Sequence, residues 1–246
     1  MLCKPFATPA VTVHHSLRRK AHPGPRPLAL GPLTEVTMLK LITFSPAMVY
    51  ANCYILKDTE SGEALVVDPG CFNRRLEAIL KDEGISSLRY ILLTHGHFDH
   101  ISGVGDLQTA YGGEVVIHLE DAPCLHNRDE SLASKFHFSQ NEARADIVLD
   151  GGEELSFGNY TIKVLHTPGH TRGSVCYIID GLMFSGDTLF KDTVGRTDFP
   201  GGSYGEMMLS MNKLAALEKD YTVYPGHDVS TTLEREKRYN PYMKGI

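Results

Sequence analysis

At 246 residues, with 42% hydrophobic and 22% charged residues, the chain is long enough to bury a sizeable core and ordinary in composition for a globular domain. Its formal net charge of −6 argues against a nucleic-acid binder held by phosphate contacts, and no run of about 18 uncharged apolar residues is present to span a membrane. Cys3, Cys53, Cys71, Cys124 and Cys176 are scattered without a C-x-x-C pair, which reads as reduced thiols in a cytoplasmic protein rather than a disulfide framework.

Residues 1–37 carry Lys4, Arg18, Arg19, Lys20 and Arg26 against a single acid, Glu35, and six prolines interrupt them. With no apolar periodicity the stretch reads as a disordered extension, Met38 being the natural first residue of the domain. Its basic, acid-poor composition also weakly resembles an organellar transit peptide, but it has no apolar h-region of a secretory signal. From Met38 the pattern sharpens. Leu39–Phe44, Tyr50–Leu56 and Ala64–Val67 are short apolar runs of strand type, with Ser61-Gly62 as a turn. Leu76, Ile79 and Leu80 fall at helical spacing. Arg89–Thr94 is a buried-type strand, 101–110 a helix and Val115–Ile117 a strand. Residues 126–147 are polar and irregular around Phe136, His137 and Phe138, a segment that could cover a site as a lid or as an ordinary loop. Strands follow near 161–166, 174–179 and 182–185. A helix near 204–218 carries Met207, Met208, Met211, Leu214 and Leu217 on one stripe, which reads as core. Val223-Tyr224 is a last strand and 231–238 a last helix.

The strongest chemical signal is Thr94-His95-Gly96-His97-Phe98-Asp99-His100, which sets four potential ligands, His95, His97, Asp99 and His100, within six residues. A spacing of two does not share one helix face, where neighbours lie three and four apart. It suits a loop wrapped round a point, with Gly96 allowing the tight backbone. Imidazole and carboxylate are the ligands that borderline divalent ions prefer. Three later positions repeat the grammar of a ligand just beyond an apolar strand, inside a Gly- or Pro-rich turn: His170 in Thr167-Pro168-Gly169-His170, Asp187 in Ser185-Gly186-Asp187, and His227 in Pro225-Gly226-His227. Singly each is weak, since Asp after Gly is more often a turn residue. Strand-end loops are nevertheless where ligands from distant segments converge. His118, His126 and His166 lack this context and read as packing or surface residues.

Together these motifs resemble the metallo-β-lactamase superfamily, and within it the short, single-domain glyoxalase II-like (hydroxyacylglutathione hydrolase-like) members. Asp68 in Val67-Asp68-Pro69-Gly70 matches the first motif, the His95–His100 run the second, and His170, Asp187 and His227 the third to fifth. The resemblance covers roughly residues 38–240. It implies an α/β, four-layer αββα sandwich over residues 38–246 with the site at one edge of the two sheets. It also implies two divalent ions, one held by His95, His97 and His170, the other by Asp99, His100 and His227. Asp187 would bridge them, and Asp68 would orient the ligand loop by hydrogen bonds. Zinc is favoured over iron or manganese by the Irving–Williams order. The implied chemistry is attack of a metal-bound hydroxide on a carbonyl carbon, available at neutral pH because coordination lowers the pKa of water to about 7. Asp99 would accept a hydrogen bond from that hydroxide.

The resemblance also narrows the substrate to small-molecule thioesters. β-Lactamases of similar sequence generally carry cysteine where Asp187 stands, flavodiiron oxidoreductases an acid where His97 stands, and RNA-processing members further basic or inserted domains. Gly186-Asp187-Thr188-Leu189-Phe190 is similar to hydroxyacylglutathione hydrolases, and Arg196 stands where those enzymes carry a basic residue for glutathione. A surface salt bridge is an equal reading of Arg196. Arg172 and Lys191 could add to a positive rim. Departures are Asp228-Val229 after the last ligand histidine and only 19 residues beyond His227, too few for the helical glutathione-gripping domain of full-length glyoxalase II. The alternative reading is a mononuclear iron persulfide dioxygenase, whose family shares the His-x-His-x-Asp-His run and a similar Gly-Arg-Thr-Asp-Phe stretch. That reading would bind one iron through His95, His170 and Asp187.

Overall fold

The computed structural model describes residues 11–14, 38–46 and 51–244. The first half forms β1 (Val11–His14), β2 (Leu39–Phe44), β3 (Cys53–Asp58), β4 (Ala64–Val67), α1 (Arg74–Asp82), β5 (Tyr90–Leu92), α2 (Phe98–Ile101), α3 (Val104–Tyr111), β6 (Glu114–His118) and β7 (Ile147–Leu149). The seven strands make one sheet in sequence order. The second half forms β8 (Glu154–Phe157), β9 (Tyr160–His166), β10 (Val175–Ile179), β11 (Leu182–Gly186), the small ribbon β12 (Leu189–Phe190) and β13 (Thr193–Val194), α4 (Tyr204–Ala215), β14 (Thr222–Pro225), β15 (Thr231–Thr232) and α5 (Leu233–Tyr239). Here the sheet order is β15-β14-β11-β10-β9-β8.

The period of two along each strand decides the layering. Leu39 and Leu41 of β2, Leu65 and Val67 of β4, and Tyr90 and Leu92 of β5 point between the sheets, where they meet Ile162, Tyr177, Ile179 and Phe184 of the second sheet. The intervening Ile42, Val66 and Ile91 point to the other face and pack on Leu76 and Leu80 of α1 and on Val104 and Leu107 of α3. Across the molecule Cys176, Met183 and Val223 pack on Met207, Met211 and Leu214 of α4 and on Leu233 of α5. The result is the expected αββα sandwich. Because both faces of the central strands are covered, Ala64–Val67 and Tyr90–Leu92 read as unbroken apolar runs rather than alternating ones.

The structure differs from the sequence reading at four places, and at the first two the cause is physical. The expected helix over 101–110 is two helices, α2 and α3, broken at Ser102-Gly103. The chain around Pro69–Phe72 presses so close that a Cβ on Gly103 would lie 2.5–2.6 Å from its backbone atoms. Strands β7 and β8 escape apolar patterning because they are short, and Val148 and Glu154 are exposed. Of residues 1–37, read as disordered, the structure describes only Val11–His14, an edge strand antiparallel to Leu41–Phe44; the others lie outside the described residues. The strand expected from Tyr50 is seen from Cys53, and Tyr50 itself lies outside the described residues.

Candidate metal centre

Topology brings the ligand-bearing strand ends together. β4 and β5 are parallel, so Asp68 and the His95–His100 loop leave the first sheet at the same end. In the second sheet β11 is parallel to β14, and β9 runs the same way because both it and β11 are antiparallel to β10. The loops carrying His170, Asp187 and His227 therefore emerge on one edge as well. Hydrogen bonds stitch the two edges: Val175 N donates to Thr94 O (2.8 Å), Asn52 N to Gly226 O (2.7 Å), the Tyr54 hydroxyl to Pro225 O (2.6 Å) and the Tyr177 hydroxyl to Leu93 O (3.0 Å).

All seven expected ligands converge there. His95, His97 and His170 form one group whose ligand atoms lie within 4.8 Å of one another; Asp99, His100 and His227 form a second, and His95, His100 and Asp187 a third that joins them. Asp187 sits between the sets, with Oδ2 3.5 Å from His170 Nε2 and 3.7 Å from His227 Nε2, and Oδ1 3.4 Å from His100 Nε2. A register slip between Phe184 and Gly186 ends β11 just before it. His95, His97, His100 and His170 are buried, while His227 is the most open, its side chain 34% exposed.

Whether these residues suit a metal ion can be judged from their hydrogen bonding. His100 Nε2 and Asp187 Oδ1 are buried, face one another and have no hydrogen-bond partner. Buried polar atoms are otherwise almost always satisfied. His97 Nδ1 lies 2.8 Å from His170 Nε2 and 3.2 Å from His95 Nε2, a crowd of ring nitrogens that cannot all be paired by shared protons. The outward nitrogens show how the inward ones are poised. His170 Nδ1 donates to the Arg196 carbonyl (2.7 Å) and His100 Nδ1 to Asp68 Oδ2 (2.9 Å), so both turn Nε2 inward. Burial, reinforced by the neighbouring imidazoles, pushes His95 well below the usual histidine range and holds His97 at about 3, so both rings are neutral. Burial opposes ionisation of Asp99 and Asp187, yet the surrounding histidines more than offset it and both carboxyls lie below their usual value. Burial opposes the charged forms of His100 and His227 too, but the carboxylates beside them more than offset it and raise both. A divalent cation would take the place of those protons, since neutral imidazole and ionised carboxylate are the forms that bind one, and the set fits one.

Asp68 is placed where it can orient the ligand loop. Its backbone is left-handed (φ 50°), it is buried, and it accepts from Thr94 N (2.8 Å), Thr94 Oγ1 (2.6 Å) and His100 Nδ1. Sequence reasoning missed a second carboxylate of this kind, Asp121. It is 4% exposed, and its Oδ2 accepts from Gly96 N (2.8 Å) and Thr171 Oγ1 (2.7 Å), its Oδ1 from Gly173 N (3.0 Å). One side chain thus ties the loop of His95 and His97 to the loop of His170. No residue spacing announces it, because its partners are backbone amides far away in the chain. Gly96 is required for a different reason from the one its position suggests: a Cβ there would lie 2.6 Å from Cys124 Sγ.

At the rim, Arg196 makes the surface salt bridge that is one of its two readings. Arg196 is exposed and donates from Nε and from one terminal guanidinium nitrogen to the two Asp198 oxygens, both at 2.7 Å, with its guanidinium 3.9 Å above the Phe199 ring. Lys135 covers the same ring at 4.8 Å, and Phe199 meets His97 edge-on at 5.7 Å. From the irregular 126–147 segment, Phe136 and Phe138 pack on Phe98 beside the ligand loop, at 5.4 and 4.6 Å. His166 stacks on His118 at 4.2 Å and hydrogen-bonds the Arg172 carbonyl, away from the ligand cluster. His126 lines a separate cavity of about 860 Å³ with Gln108 and Arg144.

Residues 48–227 match the metallo-β-lactamase superfamily. The chain belongs to that superfamily. Within it, the chain is 37% identical to an uncharacterized protein of Mycobacterium leprae over 84% of its own length and 100% of the relative's. It is 33% identical to the hydroxyacylglutathione hydrolase GloC of Haemophilus influenzae, over 78% of this chain and 92% of that one. Among solved structures it is similar to the B3 metallo-β-lactamase BLEG-1 (TM-score 0.78, 32% identity, 83% of this chain and 100% of that one). It is also similar to TTHA1623 in a di-iron-bound form (TM-score 0.67, 32% identity, 88% and 99%). The chain is accordingly a metallo-hydrolase of this superfamily. Among the described residues no helix is long and apolar enough to cross a membrane.

Proposed function

We propose that this metallo-hydrolase cleaves small-molecule thioesters of the hydroxyacylglutathione class and holds two divalent ions, zinc in preference to iron or manganese. The observation that carries the reading is the position of Asp187 between two complete ligand groups, within 3.7 Å of imidazoles from both. His95, His97 and His170 would hold one ion, Asp99, His100 and His227 the other, and Asp187 would join them. Similarity to the Haemophilus hydroxyacylglutathione hydrolase supports the thioester as substrate. Free Cys53, Cys71, Cys124 and Cys176 support a reducing, cytoplasmic setting.

Bound divalent ions in such a site lower the pKa of water to about 7 and polarise a carbonyl oxygen. The protein's own contribution is orientation and proton handling. Asp68 and the Arg196 carbonyl hold the Nδ1 atoms of His100 and His170 and so orient both rings before any ligand arrives. Asp99 is ionised, 3.2 Å from His227 Nε2, and placed to accept a hydrogen bond from the attacking water. His227, on the open side, is the ligand nearest to entering substrate.

The test is metal content and turnover together. Protein purified without chelator is expected to carry about two ions per chain and to hydrolyse S-lactoylglutathione. One iron per chain, with oxygen uptake on glutathione persulfide and no thioester cleavage, would replace this reading with the persulfide dioxygenase. Similarity to a B3 metallo-β-lactamase favours a second reading, β-lactam hydrolysis. Turnover of a chromogenic cephalosporin faster than that of the thioester would establish it.

A further inference from the structure

A cleft of about 290 Å³ opens beside His97, walled by Arg172, Glu120 and Glu130 and floored in part by Gly201. Neither Arg196 nor Lys191 lines it. Arg196 is already taken by Asp198, whereas among the described residues no carboxylate pairs with the Arg172 guanidinium. The backbone of Arg172 is held on both sides and in the middle. Thr171 and Gly173 both donate to buried Asp121, and the Arg172 carbonyl accepts from His166 Nε2 at 2.9 Å. Asp121 also grips Gly96, between His95 and His97, so one carboxylate fixes the offset between Arg172 and the ligand cluster. Gly201, left-handed at φ 85°, lies beside the Arg172 stem, whose Cγ would be in ordinary contact, 3.8 Å, with a Cβ there. The backbone of Arg172 is thus fixed relative to the metal ligands, and its exposed side chain lines the same small cleft as two exposed carboxylates.

We infer that this cleft is the subsite for a thiol carrier ending in an α-ammonium and an α-carboxylate, with Arg172 taking the carboxylate and Glu120 and Glu130 the ammonium. A planar guanidinium matches a carboxylate bidentately, and opposite charges lining one cleft select a zwitterion over a simple anion. The inference rests on the thioester reading, and it names the carrier half of that substrate.

The test separates binding from turnover. S-methylglutathione, whose blocked sulfur cannot ligate a metal, is titrated calorimetrically into the metal-loaded full chain. Wild type is expected to bind it; Arg172→Ala weakens binding about tenfold or more, and Arg172→Lys recovers part of the loss. Glu130→Gln and Glu120→Gln weaken it less. In turnover, Arg172→Ala raises KM for S-lactoylglutathione with little change in kcat, and leaves kcat/KM for the uncharged S-lactoyl-N-acetylcysteamine as in wild type. Absence of S-methylglutathione binding in wild type, equal binding by Arg172→Ala, or equal loss on both thioesters overturns the subsite. Arg172-dependent binding without cleavage of either thioester keeps the subsite and removes the thioester reading.

Discussion

The two halves of the molecule reach one site by opposite means. The first sheet delivers four ligands in a single loop, His95 to His100, with Asp68 beside it on the neighbouring strand end. The second delivers three, His170, Asp187 and His227, each from its own strand end. The first half therefore makes its share of the site locally. The second makes its share only once β9, β11 and β14 have settled in register. Ligand groups that mix both halves should consequently be more sensitive to single changes than the loop alone.

The largest effect is expected at the joint. Asp187→Ala removes the group common to both sets, and hydrolysis should fall about a thousandfold, with elemental analysis showing fewer than one ion per chain. Retention of two ions would break the assignment of Asp187 as the bridge. His227→Ala strips only the open set, so one ion per chain should remain while activity falls about a hundredfold. Chelator treatment of wild type should lower Tm by about 10 °C at ion concentrations about a thousandfold above Kd, as differential scanning calorimetry would measure. Asp121→Ala unties the two loops from each other, and metal affinity, read by competition with a chromogenic chelator, should weaken about 10–100-fold. If affinity stays unchanged while Tm drops, Asp121 supports the fold and not the site.

The smallest expected effect is on the metal-free protein and depends on pH. His97 is held at about 3 in the folded state, against 6.5 when unfolded, chiefly by burial. The unfolded chain therefore binds the proton first, and His97 contributes stability that is present above pH 6.5 and is lost as pH falls toward about 3. His100 has the opposite sign. Burial opposes its proton, but Asp68, Asp187 and Asp99 raise its pKa, so its contribution is present in acid and lost as pH rises through the folded value. Thermal unfolding of chelated wild type between pH 7 and 5 should fall with pH less steeply in His97→Gln than in wild type.

The same contrast explains what the sequence could disclose. The His95–His100 run is legible because its ligands are adjacent, and the strand-end turns before His170, Asp187 and His227 are legible because Gly and Pro mark them. The layers are legible from alternation in β2 and continuous apolar runs in β4 and β5. Asp121 is silent because a buried carboxylate that accepts from distant amides looks in sequence like any turn acid. Arg196 is legible only in part: residue order offers both a substrate contact and a surface salt bridge, and the pairing with Asp198 two residues on is seen only in the structure. The break at Gly103 is hidden because it is caused by the backbone at Pro69–Phe72, which no local pattern in 101–110 encodes.

The hydroxyls of Tyr54 and Tyr177 cross the dry space between the sheets in opposite senses, each ending on a carbonyl of the other sheet's edge. Each bond would have to break, leaving buried polar atoms unpaired, before one sheet could slide past the other. The frame is therefore fixed against shear, and what lies over the edge is carried by two segments outside the sheets, 126–147 and 191–202. Neither segment is independent of that frame: the Arg196 carbonyl holds His170 Nδ1 and the Ser131 carbonyl accepts from Phe98 N, so reshaping either stretch must keep one backbone oxygen in place if the ligand loops are to stay still.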